Sequence, residues 1–248
     1  MDFLEDQPTA YLDEIAQFVF DEFDLTVSLA TMYRILSKNR WSRVACQYRA
    51  RERSEELRSH WRGKSIGWRA ENICFLDESA SNERTGDRKY GWSPIGVSCS
   101  SKRPIKRSER WSILPALTIE GWIDYLVYQG SITKELFYDF VATKVLPKLQ
   151  PGMVVVMDNA SIHRSKELRQ LIEGAGFELH LLPPYSPDYN PIELTFHDLK
   201  AWIRRNYAMA SLFGNFESFL YHAVEQNRGL NAVQHYRHCG YILYKDYV

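Results

Sequence analysis

From Tyr11 to Phe23 apolar residues fall at Leu12, Ile15, Ala16, Val19, Phe20 and Phe23, the spacing of one helix face. After Leu25-Thr26-Val27 the pattern resumes at Leu29, Met32, Tyr33, Ile35 and Leu36, with Ser28 placed as an N-cap. Two helices joined by a short turn read as a helix-turn-helix, although an ordinary helical hairpin carries the same pattern. Between residues 40 and 70 regular spacing fades, leaving Leu57 and Trp61, so this stretch reads as a charged helix or linker with a boundary near Gly63 to Gly67. Beyond it, strands alternate with helices. Asn72 to Leu76 predicts a buried strand ending at Asp77, and Trp111–Ile119 with Trp122–Tyr128 predicts a hairpin turning at Glu120-Gly121. Thr133 to Leu149 has a helical stripe. Met153 to Met157 is the strongest strand and ends at Asp158. A helix from Ser165 to Ala175 closed by Gly176, a strand from Phe177 to Leu182, and helices at Ile192–Tyr207 and Phe216–Gln226 complete the pattern. The expected architecture is a mixed α/β core behind a small all-α segment: 1–43 helical, 44–70 a basic linker, 71–248 the α/β domain.

Composition changes this picture little. With 45% hydrophobic and 14% aromatic residues the chain can bury a substantial core. Its 31 basic and 31 acidic side chains cancel, but their distribution is uneven. Residues 1–24 carry acids and no Lys or Arg. Residues 25–69 carry eleven bases against three acids. A second basic cluster holds Lys102, Arg103, Lys106, Arg107 and Arg110. Either stretch can neutralise phosphates, and either can be a solvated surface. Four dispersed cysteines without a CxxC pair argue against a zinc ribbon. No apolar run is long enough to span a bilayer, so no membrane role is expected. Trp92, Trp111, Trp122 and Trp202 read as core or subunit contacts.

Three acids stand where chemistry is usually done. Asp77 and Asp158 each follow an apolar strand, and the carboxyl ends of neighbouring strands line the crevice in which α/β proteins bind ligands. Glu193 opens a helix behind a stiff Pro-Pro-Tyr-Ser-Pro-Asp-Tyr-Asn-Pro segment. Three hard oxygen donors suit Mg²⁺ or Mn²⁺, two ions of which can drive phosphoryl transfer. Each acid taken alone also serves as an ordinary cap. Asn159 can orient Asp158 or simply shape the turn, and His163 can touch the carboxylates or cap the next helix. Glu78 is expected on the face opposite Asp77.

The blocks around these acids are familiar. Phe75-Leu-Asp-Glu-Ser-Ala, followed by Asn82-Glu-Arg-Thr-Gly-Asp-Arg-Lys-Tyr-Gly-Trp-Ser-Pro-Ile-Gly, resembles the first catalytic block of Tc/mariner-like DDE transposases. Val156-Met-Asp-Asn-Ala-Ser-Ile-His resembles the second, and Leu182-Pro-Pro-Tyr-Ser-Pro-Asp-Tyr-Asn-Pro-Ile-Glu the third, with 34 residues between Asp158 and Glu193. The resemblance implies an RNase H-like fold, a metal-binding triad of Asp77, Asp158 and Glu193, and two Mg²⁺ or Mn²⁺ ions. It implies cleavage of DNA at terminal inverted repeats with strand transfer into target DNA, by a homodimer, with no small-molecule substrate. Asn159 and His163 would support the triad. Tyr11-Leu-Asp-Glu-Ile with Val27 to Leu36 is similar to the second half of the family's paired DNA-binding region. That places Ser28, Thr31 and Arg34 toward DNA, flanked by Lys38, Arg40 and Arg43, with Lys102, Arg103, Lys106 and Arg107 as further phosphate contacts. The family's first helix-turn-helix has no counterpart ahead of Tyr11, so the chain reads as N-terminally truncated, and Val44 stands where a Lys is usual. Two other expectations compete: a DNA-holding remnant that no longer cuts, and another RNase H-like nuclease. The implied address is the nucleus in a eukaryote, or the bacterial cytoplasm and nucleoid.

Overall fold

A computed structural model describes residues 2–46, 50, 52–100 and 109–243. The chain divides into two compact units, Met1–Arg51 and Glu52–Val248.

The first unit holds helices α1 (Asp2–Asp6), α2 (Leu12–Phe23) and α3 (Leu29–Lys38). At the start of α2 the Tyr11 amide donates to the Glu14 carboxylate at 2.7 Å, satisfying a donor that the helix itself cannot. Ser28 caps α3, its hydroxyl accepting from the Thr31 amide at 3.2 Å. Leu4, Ile15 and Met32, one from each helix, form a small core flanked by Val19, Leu36 and Trp41. Helix α1 spans five residues, too short to show a period in the sequence.

The second unit is built on a six-stranded mixed sheet. Its strands are β1 (Ile73–Leu76), β2 (Ser79–Ser81), β3 (Trp111–Thr118), β4 (Gly121–Gln129), β5 (Val154–Met157) and β6 (Glu178–Leu181). The hairpin partner β4 runs along one edge of β3, while β1 and β2 lie end to end along the other. They keep one register, Leu76 facing Ala116 and Ser79 facing Ile113. The break between them falls opposite Pro115, which has no N–H to give the ladder. On its far side β1 pairs parallel with β5, and β5 with β6.

Alternation along the strands sorts two cores. Ile73, Phe75, Val154 and Val156 face helices α4 (Glu55–Ser65), α7 (Pro191–Asn206), α8 (Phe216–Asn227) and α9 (Ala232–His238), through Trp61, Phe196, Phe219 and Tyr236. Cys74, Leu76, Val155 and Met157 face α5 (Lys134–Phe140) and α6 (Lys166–Gly174), through Phe137, Phe140, Leu168 and Ile172. Such a sheet, flanked by helices on both faces, is RNase H-like. The compact second unit starts at Glu52 and so includes α4, whose Arg58 and Trp61 are buried although their segment reads as a basic linker. Trp111 and Trp122 are core residues, whereas Trp92 is fully exposed, in neither core. The helix expected from Thr133 to Leu149 is α5 continued by a wide π turn, Val141–Val145, and a tight 3-10 turn, Leu146–Lys148. Pro147 cannot donate, and a regular α-helix does not run through it.

Candidate active site

The register of β1 against β5 decides the geometry. Ile73, Cys74, Phe75 and Leu76 pair in order with Val154, Val155, Val156 and Met157. The next residue on each strand is an aspartate, so Asp77 and Asp158 leave adjacent parallel strands side by side, about 4.8 Å apart in backbone. Counting along the strands also gives both the face shared by Phe75 and Val156, toward α7.

The third acid arrives by a separate route. After β6, a 3-10 turn at Pro187–Tyr189 leads to Asn190, and Pro191 opens α7 at its first position. Asn190 is 2% exposed and its amide donates to Asp77 Oδ2 at 2.8 Å. That bond ties the start of α7 to the end of β1 and sets Glu193, in the first helical turn, near the two aspartates. The Glu193 carboxylate opens to solvent.

Electrostatics confirm that the acids crowd one another. Asp77 is buried, and burial with the charges of Asp158, Glu193 and Glu78 lifts its carboxyl to about 7. Glu193 is also raised, by desolvation and by Asp158, with Lys200 opposing. Asp158 goes the other way. Desolvation works against its charge, but hydrogen bonds from His163 and the Ala160 amide, at 2.6 and 2.9 Å to Oδ1, more than offset it.

His163 is therefore part of the cluster. It is 1% exposed and packed against Phe137, with ring centroids 4.6 Å apart and the planes tilted by 43°. Its Nδ1 meets Asp158 Oδ1, and its Nε2 meets Glu78 Oε2 at 3.2 Å. Burial disfavours the imidazolium, yet the two carboxylates raise His163 to about 9. Strand alternation puts Glu78 on the face away from Asp77, and there it joins the site through the second nitrogen of His163. The signal available in the sequence was the His five residues after Asp158. Nothing in it pairs that His with Glu78. Asn159 is half-buried beside Asp158, but the bonds to Asp158 Oδ1 come from Ala160 and His163.

The expected DNA-facing residues of α3 form a ridge in which Ser28 and Arg34 are exposed and Thr31 is half-buried. The Ser28 and Thr31 hydroxyls lie 3.0 Å apart, and Arg34 donates to Thr31 Oγ1 at 3.1 Å. Lys38, Arg40 and Arg43 are exposed. Lys102, Arg103, Lys106 and Arg107 lie outside the described residues.

A divalent cation must be tested against this arrangement. Among the described residues, no group of three or more His, Cys, Asp or Glu side chains is already gathered closely enough to hold a metal ion. The donor chemistry does fit one. Three carboxylates repel one another here, and the buried Asn190 Oδ1 beside them has no hydrogen-bond partner. These are hard oxygen donors in a site short of positive charge.

Comparison with known proteins agrees with the geometry. Residues 72–212 match the model of the family described as DDE superfamily endonuclease. The chain belongs to that family. Residues 6–65 match the winged helix-turn helix model, which thus ends on α4. Among solved structures, the chain is similar to the mariner Mos1 paired-end complex with Mg, at TM-score 0.70 and 15% identity, covering 96% of this chain and 72% of that one. The Mos1 strand transfer complex is similar at TM-score 0.67 and 16% identity, covering 96% and 72%. A pre-cleavage Mos1 transpososome is similar at 0.61 and 16%, covering 93% and 75%. At these identities the likeness establishes the fold. No curated protein matches the chain significantly in sequence.

Proposed function

We propose that this DDE endonuclease is a Tc/mariner-type transposase, which cuts DNA at transposon ends and joins the freed ends to target DNA. The observation that carries the reading is the placement of Asp77 and Asp158 at the same level of adjacent parallel strands, with Asn190 clamping the start of the Glu193 helix onto Asp77. The Mos1 relatives support it, since they are seen in pre-cleavage, paired-end and strand transfer complexes. The partners are then terminal-repeat and target DNA, the working form is a homodimer, and the address is the nucleus in a eukaryote or the nucleoid in a bacterium.

Asp77, Asp158 and Glu193 would hold two Mg²⁺ or Mn²⁺ ions. When bound, these ions supply the Lewis acidity that activates an attacking hydroxyl and stabilises the departing 3′-oxygen. The chain's own residues prepare the site. Asn190 fixes the direction of Asp77, whose proton must leave before the carboxylate can serve as a ligand. His163 holds Asp158 by one oxygen, keeps it ionised, and neutralises Glu78 behind it.

The test is nicking and strand transfer on labelled DNA with Mn²⁺, comparing the parent with Asp77→Asn and Glu193→Gln. Asp158→Asn is a less clean variant because it also removes a partner of the buried His163. Loss of at least 10³-fold in cleavage with DNA binding retained is expected, on the scale of a lost metal-ligand set. Cutting by either variant at the parental rate would overturn the assignment of the triad.

A further inference from the structure

The turn that delivers Asn190 and Glu193 is held from outside by α4. Arg58 of α4 is 4% exposed and grips Asp188 with both ends of its guanidinium, Nη1 to Oδ1 at 3.0 Å and Nη2 to Oδ2 at 2.7 Å. The same guanidinium lies 4.2 Å over the Tyr189 ring. One helical turn on, Arg62 donates to the Tyr189 hydroxyl at 2.8 Å. Tyr241 donates to the Tyr189 carbonyl at 2.7 Å. Asp188 and Tyr189 immediately precede Asn190, the residue that holds Asp77, and Glu193 donates its amide back to the Asn190 carbonyl at 3.2 Å.

We propose that Arg58 and Arg62 are positioning residues: α4 locks the Pro187–Tyr189 turn and thereby fixes Asn190 and Glu193 relative to Asp77. The inference rests on the nuclease reading above and adds a component to its site. Three features favour a positioning role over a merely structural one. A fork of two parallel bonds defines the orientation of the turn as well as its distance, which a lysine or an apolar contact cannot do. Beyond local contacts within α4 to Glu55 and Ser59, both arginines reach consecutive residues of one tight turn. Asn190 directly follows that turn and Glu193 is the fourth residue after it, a span too short to absorb a shift. A displacement of about 1 Å at a reacting group already costs large factors in rate.

The same helix links two functions in sequence. The winged helix-turn helix match runs to residue 65 and so includes α4, while the compact unit containing the acids begins at Glu52 and also includes it. The last helix of the sequence module that reads as DNA-binding is therefore a built-in support of the candidate active site.

The test uses the full chain and the variants Arg58→Gln, Arg62→Gln and Tyr189→Phe, with Arg169→Gln as a control that removes an arginine bonded to Glu173 at 2.8 Å and to the Leu179 carbonyl at 3.4 Å, away from the Pro187–Tyr189 turn. Three quantities are read: amide hydrogen exchange without metal, Mn²⁺ affinity by calorimetry, and Mn²⁺-dependent nicking of supercoiled plasmid. In Arg58→Gln, protection of the Tyr189, Asn190 and Glu193 amides should fall at least tenfold while β5 amides stay protected. Mn²⁺ affinity should drop at least fivefold, and kcat for nicking at least tenfold with KM for DNA within twofold. Tyr189→Phe keeps the buried ring but loses the Arg62 bond, and should show the same pattern at about threefold. Should Arg58→Gln fail to fold, Tyr189→Phe and Arg62→Gln carry the test unchanged. Parental exchange, affinity and kcat in the folded variants would overturn the inference. A parent that binds no Mn²⁺ and nicks no DNA overturns the nuclease reading, and the exchange data then still decide whether α4 fixes the turn.

Discussion

Asp77 and His163 oppose each other in sign but not in their effect on pH dependence. Asp77 titrates near 3.8 when unfolded and about 7 when folded, so between those values the folded chain holds a proton that the unfolded chain has lost. Folding therefore weakens as pH rises from about 4 to 7. His163 rises from 6.5 to about 9. Its stabilisation is complete below pH 6.5 and is lost as pH climbs through 9. Both contributions decline in the same direction, so the metal-free protein should lose stability steadily from pH 5 to pH 9, measured by chemical denaturation. Asp77→Asn should flatten the lower half of that curve and stabilise the metal-free protein at pH 8 by about 1–3 kcal/mol. A parental curve in Asp77→Asn would mean that Asp77 is ionised at no cost, against its burial. Glu78→Gln should flatten the upper half and cost about 1–2 kcal/mol at pH 7, since it replaces a carboxylate facing a buried imidazolium by a neutral amide, which can still accept but carries no charge. The two aspartates were legible in the sequence because each ends an apolar run. Glu78 was not, because alternation correctly sends it to the other face and says nothing of a histidine with a free second nitrogen there.

At the scale of elements, segments with a strong apolar run or stripe were legible in the sequence, and those without one were missed. Val154 to Met157 is four consecutive buried residues, and α7 carries a full apolar stripe through Ile192, Phe196, Leu199 and Ile203. Both stand out in any window. Strand β2 is Ser-Ala-Ser, with no apolar signature, and exists because β3 continues beyond the break opposite Pro115. Helix α9 is seven residues long and earns its place by tertiary contacts alone: the Tyr236 hydroxyl donates to the carbonyls of Ile73 and Leu117, each at 3.0 Å. The hairpin turn offers the sharpest element-level prediction. Gly121 has φ +112°, and an added Cβ would lie 2.3 Å from the Arg228 carbonyl oxygen. The same carbonyl accepts from the Trp122 amide at 2.7 Å, and Arg228 Nε donates back to the Trp122 carbonyl at 2.7 Å. A methyl group there must strain the backbone and push the end of α8 off the hairpin. Gly121→Ala should cost at least about 2 kcal/mol by denaturant titration. Gly214→Ala, where an added Cβ meets nothing within 4 Å, should cost well under half of that.

For the whole molecule, the proposed function assigns holding DNA to the first compact unit and cutting it to the second, and that assignment can be measured. The ridge of Ser28, Thr31 and Arg34 belongs to the first unit, and the acids to the second. Charge supports the ridge as a phosphate or base-edge contact, because α2 is acid-rich while the bases of this unit begin at Arg34 and continue through Lys38, Arg40 and Arg43. Arg34 is exposed and donates to neutral groups, the Ala30 carbonyl and the Thr31 hydroxyl, so its positive charge remains available to DNA. Arg34→Ala should weaken binding to short duplex DNA about 5- to 20-fold and lower the slope of log K against log salt by about 1 if the contact is to phosphate. A base-edge contact instead lowers affinity for one preferred sequence and leaves the slope nearly unchanged, which a panel of duplexes separates. In either case Mn²⁺ affinity and the pH dependence of stability, both set in the second unit, should stay at parental values. A loss of Mn²⁺ affinity in Arg34→Ala would show that the two units do not act independently. Unchanged DNA binding would move the contact away from α3, toward Lys102, Arg103, Lys106 and Arg107, and the corresponding substitutions there should then reproduce the expected loss.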